Sequence, residues 1–354
     1  MKVLYIDTPL EPPGGGQWSL FYILRNIDKK KFEISVFIPY YCQFYEMLKE
    51  NNIDTNIVSP IELFYKVKKL KPDIIHCNSA TTRYTFFSAL ISKILKIPFL
   101  WHNRVVETAG WKEKIIAKLS TKIIVISDNV GKKFINFSEK VVKIYNAVDT
   151  QIFQPNLNVK YLRNQLGLDD DTKVVGIFSR LDWWKGHKFV LDVFKELLKK
   201  LPKTKLLIVG DGPQKEDIVT YVYKQRILSN VIFLGYRKDI PQLMNVCDII
   251  LNPSVEPEPF GRTVIEAMAC GKIVIASDLG GHKEIIDNNI DGFLLPFDKT
   301  AWVKKIYSIL SNYDEYKKIC EAARVKVLEK FSLDVQIKEI EKIYLAYSRL
   351  YEKK

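Results

Sequence analysis

Residues 248–267, DIILNPSVEPEPFGRTVIEA, hold a strand, a loop and a helix in twenty positions. The apolar run at 248–254 has strand length and composition. Pro253, Pro257 and Pro259 then interrupt regular structure, and a helical pattern resumes near Gly261. Glu258 and Glu266 stand eight positions apart across this joint. Pro259 and Gly261 rule against one continuous helix from Glu258, which places Glu258 on the loop and Glu266 inside the helix. Open α/β sheets bind ligands beyond the carboxyl ends of their strands, where this loop would lie.

The same alternation runs through the whole chain. Short β-branched runs occur at 3–6, 34–38, 74–75, 99–101 and 123–126, and again at 174–178, 206–209, 231–234, 249–251 and 273–276. Amphipathic stretches such as 188–200 separate them. Apolar strands alternating with helices predict parallel sheets covered on both faces. Two sets of about five predict two doubly wound, Rossmann-like domains, at 1–155 and 165–334, with the boundary in 150–172 and the ligand in the cleft between them. Residues 335–354 read as one basic amphipathic helix, with Ile337, Ile340, Ile343, Tyr344 and Tyr347 at helical spacing. It is expected to pack back on the first domain.

The chain has 354 residues, 47% hydrophobic and 27% charged, as in ordinary globular proteins. Its five cysteines are scattered without metal-ligand spacing, which suits packed free thiols in a reducing compartment. The opening MKVLYID reads as a strand and not as a signal peptide, and no apolar stretch has membrane-spanning length. A cytoplasmic protein is expected. Net charge is +13, and residues 1–150 carry 22 Lys and Arg against 14 Asp and Glu. Lys predominates over Arg and no basic-aromatic repeat occurs, which argues against nucleic acid. An anionic ligand, an anionic membrane surface and a merely solvated lysine-rich surface all fit the charge.

Candidate binding residues fall on the loops after strands. Gly14, Gly15 and Gly16 follow the first strand and precede a helix, as in a tight turn or a phosphate or sugar contact. Arg180 and Lys185, in GIFSRLDWWKG at 176–186, suit a diphosphate, the first as a fork and the second as a point charge; two solvated loop cations are the alternative. His102, just past the FLW run, is placed to bind a sugar hydroxyl or to be an ordinary loop residue. His76 is similar, and His187 and His282 read as loop residues without metal companions. The helix start near Gly261 offers free N–H groups to an anion. Glu266 is placed for the vicinal hydroxyls of a ribose and Glu258 for the opposite end of the same ligand. Phosphate flanked by ribose and sugar describes a sugar nucleotide.

The stretch 258–266, EPFGRTVIE, resembles the Glu-x7-Glu motif of retaining glycosyltransferases of family 4, which have the GT-B fold. The resemblance extends over nearly the whole chain, through GIFSRLDWWKG, LLIVGDGP (206–213), VIFLGY (231–236), ASDLGGHKE (276–284) and YNAVDTQIF (145–153), in the family's order. It implies two Rossmann-like domains facing each other across a cleft. It further implies that Arg180 and Lys185 bind the donor diphosphate, Glu266 the ribose and Glu258 the donor sugar. The base would lie near Tyr236, with Phe260, Gly261, Arg262 and Thr263 completing the donor site. The glycines and His102 would face the transferring sugar and the acceptor. The implied reaction is hexose transfer with retention, to a glycan or lipid-linked acceptor of cell-surface polysaccharide or lipopolysaccharide, with no cofactor and no required metal. Its catalytic groups would be Glu258, His102, Arg180 and Lys185. The chain departs from the family with Asn146-Ala147 where Asn-Gly is commoner, and with an additional Glu256.

Two other enzyme classes fit parts of the pattern. A glycosidase would use both glutamates but leave Arg180, Lys185 and the glycines without a role. A sugar-nucleotide epimerase of similar fold would use the same donor site. Residues 111–122, WKEKIIAKLSTK, bring Trp111, Ile115, Ile116 and Leu119 to one face among four lysines. That face suits either an anionic bilayer, with the protein peripheral on the inner membrane face, or packing against the chain's own sheet.

Overall fold

The computed structural model describes residues 1–108 and 110–351. It divides into two compact units, Met1–Ala147 together with the segment from Leu333 onward, and Val148–Ser332.

The first unit holds a seven-stranded sheet: β1 (Lys2–Ile6), β2 (Glu33–Ile38), β3 (Thr55–Ile57), β4 (Ile74–Cys77), β5 (Phe99–Asn103), β6 (Lys122–Val125) and β7 (Val141–Lys143). Their spatial order is β3-β2-β1-β4-β5-β6-β7, and every pairing is parallel. The second unit holds β8 (Val174–Phe178), β9 (Lys205–Val209), β10 (Val231–Gly235), β11 (Ile249–Asn252), β12 (Ile273–Ser277) and β13 (Phe293–Leu295), in the order β10-β9-β8-β11-β12-β13 and again all parallel. Each sheet reverses direction of growth once, between β1 and β4 and between β8 and β11. Those reversals are the switch points where such sheets bind ligands.

Central strands are apolar on both faces because helices cover both. β8 is buried at all five positions, as are β11 and β12 throughout. The helix His187–Leu198 buries Val190, Leu191, Phe194 and Leu197 against this sheet. Three strands escaped the sequence reading: β3, β7 and β13. Each has three residues and lies at a sheet edge, where half-covered backbone needs no continuous apolar run.

The last helix, Leu333–Tyr351, belongs to the first unit, where Leu333, Ile337, Ile340 and Tyr344 join the core of Val3, Tyr5, Leu20 and Phe32. Phe32 meets the Tyr344 ring edge-on at 5.5 Å. All five cysteines are free, four buried and Cys320 half-buried. Among the described residues, no helix is long and apolar enough to cross a membrane.

Because Ile340 is fully buried, Ile340→Ala should destabilise the chain by about 2–5 kcal/mol, the range for a large-to-small core change. Urea unfolding followed by circular dichroism checks this; an unchanged midpoint would show that the last helix does not secure the first unit's core.

Candidate functional site

In the second unit, the loops after β8 and β11 flank the switch point. Gly186 brings them together. Its φ of +73° favours glycine, and a Cβ there would lie 2.1 Å from the Pro253 carbonyl oxygen. The Val255 N–H also donates to the Trp184 carbonyl at 2.8 Å. With the loops pressed together, the Lys185 ammonium meets the Glu258 carboxylate in an ion pair that is almost wholly buried. Ser254 donates to the same carboxylate oxygen at 2.6 Å. Lys185 also lies 3.9 Å over the Trp184 ring.

Burial by itself would raise the pKa of Glu258. The Lys185 charge, the neighbouring His282 and the hydrogen bonds from Lys185 and Ser254 outweigh it and hold the carboxyl below its ordinary range. Glu258 is therefore an ionised acceptor at neutral pH. Its backbone is fixed as well, since the Gly281 N–H donates to the Glu258 carbonyl at 2.9 Å.

The helix Arg262–Ala269 starts directly after this loop. Gly261, at φ +119°, makes the turn into it, and Thr263 ties the helix start to β8 by donating to the Phe178 carbonyl at 3.0 Å. Arg262 pairs with Glu266 one turn later at 2.8 Å. Burial raises the Glu266 pKa against the opposing pull of Arg262. Each glutamate of the motif thus has its own cation.

Several expected donor contacts have other surroundings. The Phe260 side chain is buried against Phe331 and not in an open site. Arg180 is largely exposed and pairs with Asp182 at 3.4 Å. Tyr236 is exposed beyond β10. His187 and His282 are not loop residues: both begin helices and are buried. The sequence reading missed Ser254 and His282, although both lie within motifs it quoted.

In the first unit, Gly14 precedes the helix Gly15–Asn26, whose first residues are Gly15 and Gly16. Gln17 bridges this turn to the sheet. Its side-chain oxygen accepts from the Gly14 N–H at 3.1 Å and its amide donates to Asp7 at 3.1 Å. Asp7, at the end of β1, also accepts from Ser79 at 3.0 Å. Burial raises the Asp7 pKa against these hydrogen bonds. Across the switch point, Arg104 donates to Asn78 at 2.9 Å and to Asn146 in a short contact, and its Cδ lies beside Gly16.

His102 requires a correction. It was expected on a loop after the strand, but β5 continues through Asn103 and His102 is fully buried within it. The polar HN pair ended the apolar run in the sequence, although the backbone stays extended. His76 is likewise inside β4 and buried. Asp7, Gln17, Arg104 and Asn146 were not selected from the sequence; a charged residue at the end of a first strand, as with Asp7, was the available signal.

A family model described as glycosyl transferases group 1 matches residues 158–326, and one described as Glycosyltransferase Family 4 matches residues 13–152. An uncharacterized glycosyltransferase of Methanocaldococcus jannaschii is 27% identical over 299 residues, 77% of this chain and 75% of that protein. The UDP-Gal:alpha-D-GlcNAc-diphosphoundecaprenol alpha-1,3-galactosyltransferase of Escherichia coli is 24% identical over 87% of this chain and 83% of its own. The crystal structure of Anabaena HepE in complex with UDP-glucose superposes with a TM-score of 0.87 at 25% identity, covering 98% of this chain and all of that one. The sheets described above are those of the GT-B fold.

The loop apposition can be broken at one atom. Gly186→Ala adds a Cβ against the Pro253 carbonyl and forces a positive φ on alanine, which costs about 1–3 kcal/mol in backbone strain. Thermal unfolding should show the loss, and nucleotide affinity should fall with it as Lys185 moves from Glu258. Unchanged stability and affinity would show that the loops do not depend on this contact.

Proposed function

We propose that this chain, which belongs to glycosyltransferase family 4 and is a nucleotide-sugar-dependent enzyme, transfers a hexose from a uridine diphosphate sugar to a glycan or lipid-linked acceptor with retention at the anomeric carbon. The observation that carries this reading is the buried Lys185–Glu258 pair beside the start of the helix Arg262–Ala269, at the switch point of the second sheet. It sets a cation, a carboxylate and a helix N-terminus together, the chemistry of a diphosphate joined to a sugar. Uridine is favoured because HepE was crystallised with UDP-glucose and the Escherichia coli relative uses UDP-galactose.

The roles follow from the geometry. Arg180, exposed and loosely paired, swings to the diphosphate as a fork, while Lys185 meets it as a point charge. Gly261, Arg262 and Thr263 present the helix start to the same phosphates, and the Phe260 backbone follows the chain past the sugar. Glu258 accepts hydrogen bonds from sugar hydroxyls, Glu266 takes the ribose diol and Tyr236 flanks the base. The bond from the anomeric carbon to the diphosphate oxygen breaks, and one from the acceptor oxygen to that carbon forms on the same face. The acceptor proton passes to the departing diphosphate. Arg180, Lys185 and the helix start stabilise the charge that develops there. Gly14, Gly15, Gly16 and His102 are assigned to the sugar and acceptor. No step draws on a metal or cofactor.

A membrane-borne acceptor is supported by one face of the first unit. On the helix Gly110–Leu119, Ile116 is buried in the protein, but Trp111 is 62% exposed. It packs beside Phe86 of the helix Arg83–Leu95, which exposes Phe87 and Ile94. Lys93, Lys112, Lys114 and Lys118 lie on these two helices, and Lys96 caps the first. Apolar side chains among lysines suit the headgroup region of an anionic bilayer.

Calorimetry should give saturable binding of UDP and not GDP, weakened by Glu266→Ala. Arg180→Ala and Lys185→Ala should each cut turnover by about 10²–10³, as for loss of a transition-state donor. Near-normal turnover in both variants would remove the diphosphate role. For the membrane, Trp111→Glu should abolish cosedimentation with phosphatidylglycerol vesicles at low salt while leaving UDP binding intact. Absence of wild-type cosedimentation would refute attachment.

A further inference from the structure

The two loops that pair Lys185 with Glu258 also wall a cavity of about 370 Å³ at the start of the helix His187–Leu198. Trp183 and Gly186 of the β8 loop and Val255 of the β11 loop line it, whereas Arg180, Lys185, Glu258 and Glu266 do not. It is therefore separate from the proposed donor contacts. Its shape depends on the same close approach, through Gly186 against Pro253 and the Val255 N–H against the Trp184 carbonyl.

The walls combine three kinds of group. Trp183 is 66% exposed and has no hydrogen bond or ring contact among the described residues. Phe297, 49% exposed, stacks on Phe189 at 3.8 Å, and both rings line the cavity. Asp182 and Asp192 bring carboxylates, the second held by the Tyr221 hydroxyl at 2.7 Å. Gln214 adds an amide, and the helix begins without a side-chain cap, which leaves its first N–H groups as donors. Lys188 also lines the cavity, but its ammonium is paired with Asp217.

This mixture selects among ligands. Two carboxylates repel an anion, and a helix N-terminus disfavours a cation. A hydrocarbon would desolvate the acids without giving them a donor. A pyranose meets all three: its C–H faces lie on the rings, and its hydroxyls donate to carboxylates and accept from amides. The volume is at the small end of ligand pockets, about 300–1,000 Å³, which suits a sugar ring better than a sugar nucleotide. We propose that this cavity is a second carbohydrate site, which holds a pyranose unit of the glycan being extended and not the ring being transferred. The source of that sugar rests on the proposed glycan acceptor; the binding chemistry does not. With Trp183 two residues from Lys185, a glycan held there stays beside the donor loop between turnovers, so its next encounter is intramolecular.

The test is saturation-transfer difference NMR on the whole chain, with the methyl α-pyranosides of glucose, galactose, mannose and N-acetylglucosamine at millimolar concentration, with and without saturating UDP. At least one sugar should receive saturation while UDP is bound. Trp183→Ala should weaken its affinity about tenfold, the scale of a lost ring contact. The exposed side chain makes a fold defect avoidable, and an unchanged melting temperature checks this. Asp192→Ala, outside the donor loop, should weaken the same signal. Saturation that UDP abolishes would put the sugar in the donor site and overturn the proposal. Saturation that Trp183→Ala leaves unchanged overturns it too, as does no saturation of any of these sugars. If UDP itself fails to bind, the uridine reading falls, and the Trp183 comparison still decides the cavity.

Discussion

The second unit's site depends on bringing a lysine and a glutamate together out of water. A buried carboxylate alone is strongly unfavourable, and so is a buried ammonium; side by side with a further hydrogen bond they are tolerated. Lys185 and Glu258 come from different loops, so the fold must supply the apposition. Gly186 permits it by letting one loop rest on the Pro253 carbonyl, and Gly280 and Gly281 permit it from the other side by lying against the backbone of Glu258 and Phe260. Gly186, Gly280 and Gly281 in the motifs at 176–186 and 276–284 follow from this close contact of backbones.

The first unit solves a similar problem with hydrogen bonds in place of an ion pair. Its buried carboxylate, Asp7, has Gln17 and Ser79 as partners and no ion pair among the described residues, and its half-buried guanidinium, Arg104, is met by two asparagine oxygens and an imidazole. Neutral partners leave these groups oriented without consuming their charge. The two units therefore present different chemistry at equivalent switch points, an ion pair in one and ionisable groups held by neutral partners in the other.

The alternation of strands and helices was legible because central parallel strands are apolar on both faces; β8 was read at its full length from VVGIF. The short edge strands β3, β7 and β13 were not, since a three-residue strand at an edge has no periodicity to detect. In the candidate site, Glu258 and Lys185 were legible from their spacing to prolines and glycines, but their pairing was not, because it joins residues 73 positions apart. His102 was misplaced because polar residues were taken to end a strand. In a sheet covered on both faces, a histidine continues the strand if its nitrogens find partners, and His76 and Arg104 are supplied by separate segments.

The contrast between Arg180 and Lys185 bears on how a phosphate ligand would enter. Lys185 is already desolvated, with Glu258 supplying the compensating charge, so little of its hydration remains to be lost when a diphosphate arrives. Arg180 remains largely in water, with a loose 3.4 Å contact to Asp182, and keeps its conformational freedom. An exposed arginine suits first capture of an anion, since a planar fork engages two oxygens at once. A buried lysine suits the later stage, in which a fixed charge must stand where negative charge develops without the site reorganising. Glu258 then gains a second consequence. As Lys185 turns part of its charge to phosphate, Ser254 remains a donor to the carboxylate, and on the proposed roles a sugar hydroxyl would add another. On the proposed roles, diphosphate and sugar recognition would be coupled through this one ion pair.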